Sequence, residues 1–525
     1  MDNTKRYASG YSEAGASMFR RAMKAFVPNS GSPNDDIIRN LSTLRQRSRM
    51  LYMASPVATS AIETNKTKVI GSGLVVQPSI NAERLGITPE AAKEWERNTF
   101  EEFELWANRK ESCDSIGMNT FYDLQVIALA SALLSGDSFA VVQRSAATQL
   151  EPYTLRIHLV EADRVATPSK YGCTTINGLT DGKVPENEKG AGNRIFDGVE
   201  VDSAGKVVAY HIRNTYPNEI AAEEAKSVRV EVRGKKTGLP NILHIISCER
   251  PDQYRGVPYL AKVIEPILQL RRYTESELMA ALVQSFFSAW ITTETDQSQI
   301  PINEVGSGID GDTSAQEHDN SDNASEYDMG PGTVAHLAPG ESITFGNPNI
   351  PTAGFENFVK TLCKMIGASL EIPYDVLIKE FNSSYSASRA ALMEAWEAFK
   401  MRRAWFVRDF CQPIYELWLT EAVAIGRIKA PGFLTNPRIR AEYCKANWVG
   451  PVQGQLDPLK EVKASVIQVE NGFKTNAQVT REQGGGDWDR NIETLKHENE
   501  MKSDAGVVSS AQINNAGGEV NGDPD

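Results

Sequence analysis

The sequence predicts an α+β fold, and three observations carry that prediction. Residues from Ser138 to His244 read as short alternating strands. Long stretches on both sides of this block place apolar residues three, four or seven apart, the spacing of one helix face. Strands gathered in one part of a chain and helices in the others point to α+β rather than to alternating βαβ units. With 525 residues the chain is long enough for several domains and a large core.

Residues 1–34 are polar and rich in Gly, Ser and Asn, with one basic amphipathic piece, MFRRAMKAF; they read as a mobile arm. Asp35 to Thr67 reads as one or two helices with Leu41, Leu44, Leu51, Val57 and Ile62 inside. Thr88 and Pro89 open the next helix as N-cap and first helical residue, and Trp95, Thr99, Phe103 and Trp106 form its apolar edge. A further helix ends at Gly136-Asp137. SFAVVQR and TLRIHLVEADRV then alternate as strands, and GVEVDSAGKVVAYHIRN is a hairpin turning at Asp202 to Gly205. Tyr171 to Arg194 and Asn218 to Gly238 read as loops. After Gly256, Leu260, Ile264, Ile267, Leu278, Leu282, Phe286 and Trp290 recur at helical spacing, so a rod is expected over 256–292. About 37 residues at 1.5 Å each would span roughly 55 Å. Its middle, RRYTESE, is too polar for an isolated core helix and suits a rod packed among identical neighbours.

Gln297 to Met329 is acidic and reads as an exposed loop. GPGTVAHLAPGESITF reads as two short strands, and GFENFVKTLCKMIGASLEI as a helix. The stretch from Ile372 to Gly426 opens with a Pro-led polar loop in which Asn382, Ser383, Ser384 and Ser386 are candidate N-caps. A long helix follows, with Leu392, Trp396, Phe399, Phe406, Phe410, Ile414 and Leu417 on one face. Pro413 is expected to kink it, because proline lacks an N–H and clashes with the preceding turn. From periodicity alone this stretch is a core helix behind a polar loop. The residues from Asp504 onward, poor in aromatics, are expected to be disordered.

Composition excludes several classes. With 41% hydrophobic and 23% charged residues the chain is ordinary for a soluble globular protein. The best apolar run, Val126 to Leu134, is short and broken by Ser131, so no membrane span is expected. MDNTKRYASGYSEAG has no apolar core after its basic residues, so no secretory signal is expected. The six cysteines, Cys113, Cys173, Cys248, Cys363, Cys411 and Cys444, form no CxxC pair, and a reducing cytoplasm fits them. The net charge of −13 argues against gripping DNA through broad phosphate contact. It is compatible with a channel that must let a duplex slide, and equally with plain solubility.

The short motifs are weak. Gly71 and Gly73 match no phosphate-binding loop and read as a strand-entry turn. Gly234-Lys235 lacks the upstream glycine of a P-loop. Asp310-Gly311-Asp312 fails the EF-hand register, and Cys113 beside Asp114 has no further ligand nearby, so packing explains it. No metal and no cofactor is expected. The chain lacks HExxH, GxSxG and Walker A signatures, and His158, His211, His244, His318, His336 and His497 stand in no motif. No catalytic residue is nominated. A DNA-processing enzyme built on scattered carboxylates is the rival class.

Several blocks together resemble the portal proteins of lambda-like tailed phages. One holds Tyr385, Ser386, Ser388, Arg389 and Ala390, then Trp396, Phe399, Arg402, Arg403 and Pro413. A second holds Arg250, Pro251, Gln253, Arg255 and Gly256. A third is Pro331-Gly332, Val334, Leu337 and Pro339-Gly340-Glu341. A fourth holds Trp448, Gly450, Asp457-Pro458, Lys460-Glu461, Gly472, Thr475 and Asp487. The Trp106-Ala107, Cys113-Asp114 and Gly136-Asp137 run is similar as well.

The resemblance implies a ring, of twelve subunits in the capsid, at the vertex through which DNA is packaged and ejected. It implies an α/β wing over 35–255, a stem helix over 256–292, a clip over 293–351, a second stem helix over 352–370 and a tunnel loop over 371–386. The kinked helix and wing return would occupy 387–455 and a helical crown 456–503. Lys379, Asn382, Ser383, Ser384 and Tyr385 would face the DNA channel. Arg250, Pro251, Gln253, Arg255, Gly256, Ser386, Ser388 and Arg389 would be structural, and Leu278, Leu282 and Phe286 would meet a neighbouring stem. Implied partners are double-stranded DNA, the large terminase subunit, the major capsid protein and scaffold, and the head-tail connector, with assembly in the host cytoplasm and residence in the virion. Another head protein, a connector or a scaffold, is the alternative.

Overall fold

The computed structural model describes residues 30–171, 181–217, 219, 226–285, 289–293, 341–345, 354–381, 384–453, 458–484 and 486–505. These fall into two compact units, one from residues up to Ile267 together with those from Cys363 onward, the other over Leu268–Leu362.

The larger unit begins with α1 (Pro33–Ala54), where the Ser32 hydroxyl accepts from the Asp35 N–H and Pro33 holds the first turn. Pro56 forces Ser55 into an extended conformation, so the stretch read as one or two helices is two, α1 and α2 (Pro56–Asn65). A π-helical turn over Lys66–Ile70 follows and ends at the left-handed Gly71. β1 (Val75–Pro78), α3 (Ala82–Leu85) and α4 (Pro89–Ala107) come next; α4 is capped by Thr88, as the sequence predicts. After α5 (Lys110–Cys113), α6 (Phe121–Ser135) opens with a reciprocal Thr120–Asp123 capping box and stops at Gly136.

Two antiparallel sheets form the β block. β2 (Asp137–Arg144) is the middle strand of one, between β3 (Leu155–Glu161) and a strand that arrives later in the chain. The second runs in sequence order through β4 (Asp181–Lys183), β5 (Arg194–Phe196), β6 (Val199–Val201), β7 (Val207–Arg213) and β8 (Ser227–Glu231). β9 (Ile242–Ile246) returns to β2. Phe139, Val160 and Ile242 from the first sheet meet Phe196, Val199, Val201, Tyr210 and Ile212 from the second in a shared core. The β6–β7 turn lies where Asp202–Gly205 predicts it, with the Gly205 N–H donating to the Asp202 carbonyl at 3.0 Å. The segments expected as loops hold β4 and β8. Their three to five strand residues are too few to stand out from polar flanks.

The 256–292 rod is divided. Pro258 is extended, a 3₁₀ turn covers Tyr259–Val263, and α7 is Ile264–Ser285. Trp290, placed on the helix edge by spacing, belongs instead to β10 (Ala289–Thr293), which pairs antiparallel with β11 (Glu341–Phe345), Trp290 opposite Thr344. The run Trp290-Ile291-Thr292-Thr293 is aromatic and β-branched, and a partner strand about fifty residues on outweighs a helical spacing. In the smaller unit the Tyr273 ring of α7 lies 5.4 Å from Phe355 and 4.8 Å from Phe358 of α8 (Phe355–Ser369).

α9 (Tyr374–Ile378) precedes α10 (Tyr385–Phe406), a π segment (Val407–Cys411) and α11 (Gln412–Ala424), which together make the long helical stretch. The disturbance expected at Pro413 sits before it. Widening the turn lets the Gln412 N–H reach back five residues to the Val407 carbonyl, and Pro413 then occupies the first turn of α11, where its missing N–H costs nothing. α12 (Pro437–Tyr443) leads to β12 (Ala446–Val449), which pairs with β1. Phe103, Trp106, Phe121, Phe410, Tyr415, Trp418 and Trp448 pack there as an aromatic core; Phe103 meets Trp418 edge-on at 5.0 Å and Phe121 at 5.6 Å. α13 (Pro458–Glu470), α14 (Asn476–Glu482) and α15 (Trp488–Asp504) complete the described chain, with no buried residue among them. The N-terminal arm up to residue 29, the acidic 297–329 stretch, the first of the two strands expected before Phe345, and the tail from 506 lie outside the described residues.

Candidate functional site

Arg250 to Gly256 forms a folded turn before the 3₁₀ segment. The Gln253 side chain closes it: its oxygen accepts from the Glu249 and Arg250 N–H groups at 2.9 and 3.1 Å, and its amide donates to the Arg255 carbonyl at 2.9 Å. Asn34 of α1 holds the same turn, donating to the Asp252 carbonyl and accepting from the Tyr254 N–H. Arg250 reaches Asp36 at the exposed end of α1, a pair worth little in water. Gly256 lies against Gly136 so closely that a Cβ on it would overlap the Gly136 carbonyl.

Arg255 is fully buried and uses its whole guanidinium fork. It donates to Asp137 at 2.8 and 3.1 Å, to Asp197 at 2.8 Å, to the Ala162 and Val165 carbonyls at 2.9 Å each, and to the Asp197 carbonyl. Asp137, also fully buried, accepts in addition from Arg45, from the Gly256 N–H at 3.0 Å and from His244. Arg45 extends the network to Asp163 and Asp197, and Arg49 closes it on Asp163. Three guanidiniums thus face four carboxylates, Glu161 pairing with Arg49 as well, and hydrogen bonds to carbonyls use up the remaining donors of Arg45 and Arg255. Burial alone would push the Asp137 carboxyl up; the Arg255 charge, the His244 hydrogen bond and Arg45 outweigh it and hold the group well below its ordinary range. Burial also holds His244 below its usual value, so it is neutral, with Nε2–H donating to Asp137 and Nδ1 accepting from the Tyr210 hydroxyl. Such a saturated cluster orients strands; it has no group left to bind or attack a ligand. Among the described residues no group of three or more His, Cys, Asp or Glu is placed to hold a metal.

Between α8 and α10 the chain makes two left-handed turns at non-glycine residues, Glu371 (φ 53°) and Lys379 (φ 62°). The residues between them are docked: Ile372, Val376 and Leu377 are buried, and Leu377 offers its carbonyl to Ser60 of α2 at 2.6 Å. Lys379 and Glu380 turn back on α9, both N–H groups reaching the Asp375 carbonyl, while the side chains of Lys379 and Ser384 are exposed and Phe381 is at 58% exposure. The Lys379 charge already acts on Glu63. Burial raises that carboxyl, but hydrogen bonds from Lys66 and Tyr52 and the charges of Lys66 and Lys379 hold it below its ordinary value. Ser384 caps α10, accepting from the Ala387 N–H, and Tyr385 is the first residue of that helix. Ser386 and Ser388 continue the first turn, and Arg389 reaches Glu461 of α13 at 3.7 Å. Asn382, Ser383 and Phe286 lie outside the described residues. Leu278 and Leu282 of α7 are largely exposed, at 62% and 47%.

Sequence reasoning named Asp137 only as the end of a helix in a family-like run, and passed over Arg45 and the partners of Arg402 and Arg403. Arg403 donates to the Lys68, Val69 and Pro451 carbonyls; the first two end the π turn, where no helical N–H is left to serve them. An arginine pair on an otherwise apolar helix face was the available signal.

A family model described as phage portal protein, lambda family, matches residues 19–403. The chain belongs to that family. Portal proteins of this family are structural, non-enzymatic components of the phage capsid. The chain is 24% identical over 480 residues to the portal protein of Escherichia phage N15, covering 89% of this chain and 86% of that one. It is 22% identical over 490 residues to portal protein B of Escherichia phage lambda, covering 90% and 86%. A probable portal protein of Halomonas phage phiHAP-1 is 20% identical over 459 residues, covering 87% and 80%. Among solved structures, a chain from the virion of a native gene transfer agent particle aligns with a TM-score of 0.41 at 12% identity, over 87% of this chain and 95% of that one. A chain from the neck of the native particle, computed with C12 symmetry, aligns with a TM-score of 0.39 at 12% identity, over 84% and 92%. The family match spans both the Arg250–Gly256 turn and the 371–386 segment of this portal protein, and ends within α10.

Proposed function

We propose that this portal protein closes into a ring, of twelve subunits in the capsid, at one vertex, and that double-stranded DNA is packaged and ejected through its channel. The family match over residues 19–403 carries this reading. In it the two sheets and their helices form the wing, α7 and α8 the stem, the β10–β11 ladder part of the clip, and α13 to α15 the crown. The exposed Lys379, Phe381 and Ser384 face the DNA. One lysine per subunit, repeated round a ring, gives a weak cationic collar in a chain whose net charge is −13. Each phosphate contact adds a little salt-sensitive affinity, so the collar holds a duplex without locking it. The large terminase subunit and the head-tail connector dock on this ring, the major capsid protein and scaffold surround it, and it assembles in the host cytoplasm before residing in the virion.

Electron microscopy of the purified chain, alone and with capsid and scaffold proteins, tests the ring. Closed rings with a central hole are expected; a monomer under every condition overturns the reading. Lys379→Glu rings should assemble normally but package or retain DNA poorly, most visibly at low salt. Normal packaging and retention by that variant would remove the collar.

A further inference from the structure

We infer that Arg402 is the positioning residue of the channel loop: with Tyr259 it clamps the root of that loop, at Leu370 and Glu371, to the body. The inference rests on the reading of this segment as the channel loop, and it concerns how that loop is held.

The Leu370 carbonyl ends α8, where no further turn supplies a donor. It receives two donors from elsewhere, Arg402 Nη2 at 3.1 Å and the Tyr259 hydroxyl. The same Nη2 donates to the Glu371 carboxylate at 2.7 Å, and Nη1 donates to Asn65 Oδ1 at the end of α2, at 3.1 Å. The guanidinium plane lies 5.0 Å from the Tyr259 ring. One side chain therefore joins α10, the end of α2, the 3₁₀ turn and the loop root. Glu371 is mostly exposed, so the ion pair by itself contributes little; the fixed geometry comes from the carbonyl and amide bonds of a guanidinium that is itself 12% exposed. A second anchor, Ser60 to the Leu377 carbonyl, stands just before the left-handed Lys379. Beyond Lys379 the described residues Phe381 and Ser384 are exposed. The docked part runs on through Lys379 and Glu380, whose N–H groups both reach the Asp375 carbonyl, and the Glu380 carboxylate accepts from the Tyr374 hydroxyl at 2.7 Å.

Hydrogen exchange on the full-length assembled protein tests the clamp. In the native chain the amides of Ile372 and of residues 376–380, which are hydrogen-bonded, should exchange slowly and that of the exposed Phe381 quickly. Arg402→Gln should speed exchange over 370–378 by tenfold or more and leave α11 unchanged, with Arg402→Lys intermediate because an ammonium cannot serve three acceptors in one plane. If Arg402→Gln fails to fold, Tyr259→Phe removes a single donor to Leu370 and should show a smaller rise over the same residues. Unchanged exchange in the folded variants overturns the clamp, whatever happens to packaging. Faster exchange together with normal DNA packaging upholds the clamp and overturns the channel reading of the loop; faster exchange with impaired packaging upholds both.

Discussion

Arg255 and Asp137, 118 residues apart, meet with neither side chain exposed and with Nε 2.8 Å from Oδ2. The pair joins the turn before α7 to the strand at the centre of the three-stranded sheet. Arg45 brings α1 to the same carboxylate, and Gly256 brings backbone against Gly136. The turn is therefore held to the sheet through fully satisfied charges.

Breaking that pair should be severe. Asp137→Ala leaves Arg45 and Arg255 buried side by side without their shared carboxylate, and should cost about 3–5 kcal/mol. Denaturant unfolding of the purified chain reads this directly. Replacing Asp137 by Leu and Arg255 by Met together should cost less than the single change, since no charge is then left unpaired. A single change within 1 kcal/mol of wild type would contradict the account.

Gly256→Ala introduces one methyl where the Gly136 backbone stands. Backbone cannot swing aside as a side chain can, so a loss on the order of 3 kcal/mol is expected. Ala at Gly86, which has a positive φ but open space around it, should cost only the left-handed strain, about 1 kcal/mol. Thermal melts of the two variants compare the causes.

Acid should destabilise the five-stranded sheet before it affects the aromatic core. Burial would raise the Glu200 carboxyl, but hydrogen bonds from His211, Arg229 and Asn193 hold it down, to about 2. A lowered carboxyl stabilises the fold fully above its unfolded value, near 4.5, and that contribution is lost as pH falls toward 2. Roughly 3 kcal/mol is at stake. Glu200→Gln should flatten the stability profile over that window and lower stability at neutral pH; an unaltered slope would show that the group does not carry it.

Leu278 and Leu282 lie one turn apart on α7 and are largely exposed in the single chain. Leu282→Asp should thus leave the stability of an isolated subunit within about 0.5 kcal/mol. In a ring it would place a charge in an apolar contact, at a cost of several kcal/mol per interface. Light scattering should show loss of rings with an unchanged monomer melt. Normal ring yield would mean that this edge faces water.

The sequence by itself determined what depends on neighbours a few residues away. Thr88, Thr120, Ser384 and the Asp202–Gly205 turn act through hydrogen bonds spanning two to five residues, so their types and spacing suffice. The lambda-portal blocks were legible for the same reason: they are words in order. The exposure of Lys379 and Ser384 also followed from their polarity. Tertiary structure decided the rest. Trp290 satisfied a helical spacing, yet its strand is set by Ser342 to Phe345. Arg255 reads as one more charged residue, but its partners lie on three distant segments, and a buried arginine is tolerable only where all of them converge. Arg402 on an amphipathic helix looks solvated until Leu370, Asn65 and Tyr259 arrive around it. Periodicity reports how one segment divides its faces between inside and outside; which donors and acceptors meet inside is fixed only when segments remote in sequence are packed together, because an unpaired buried group is too costly to leave alone.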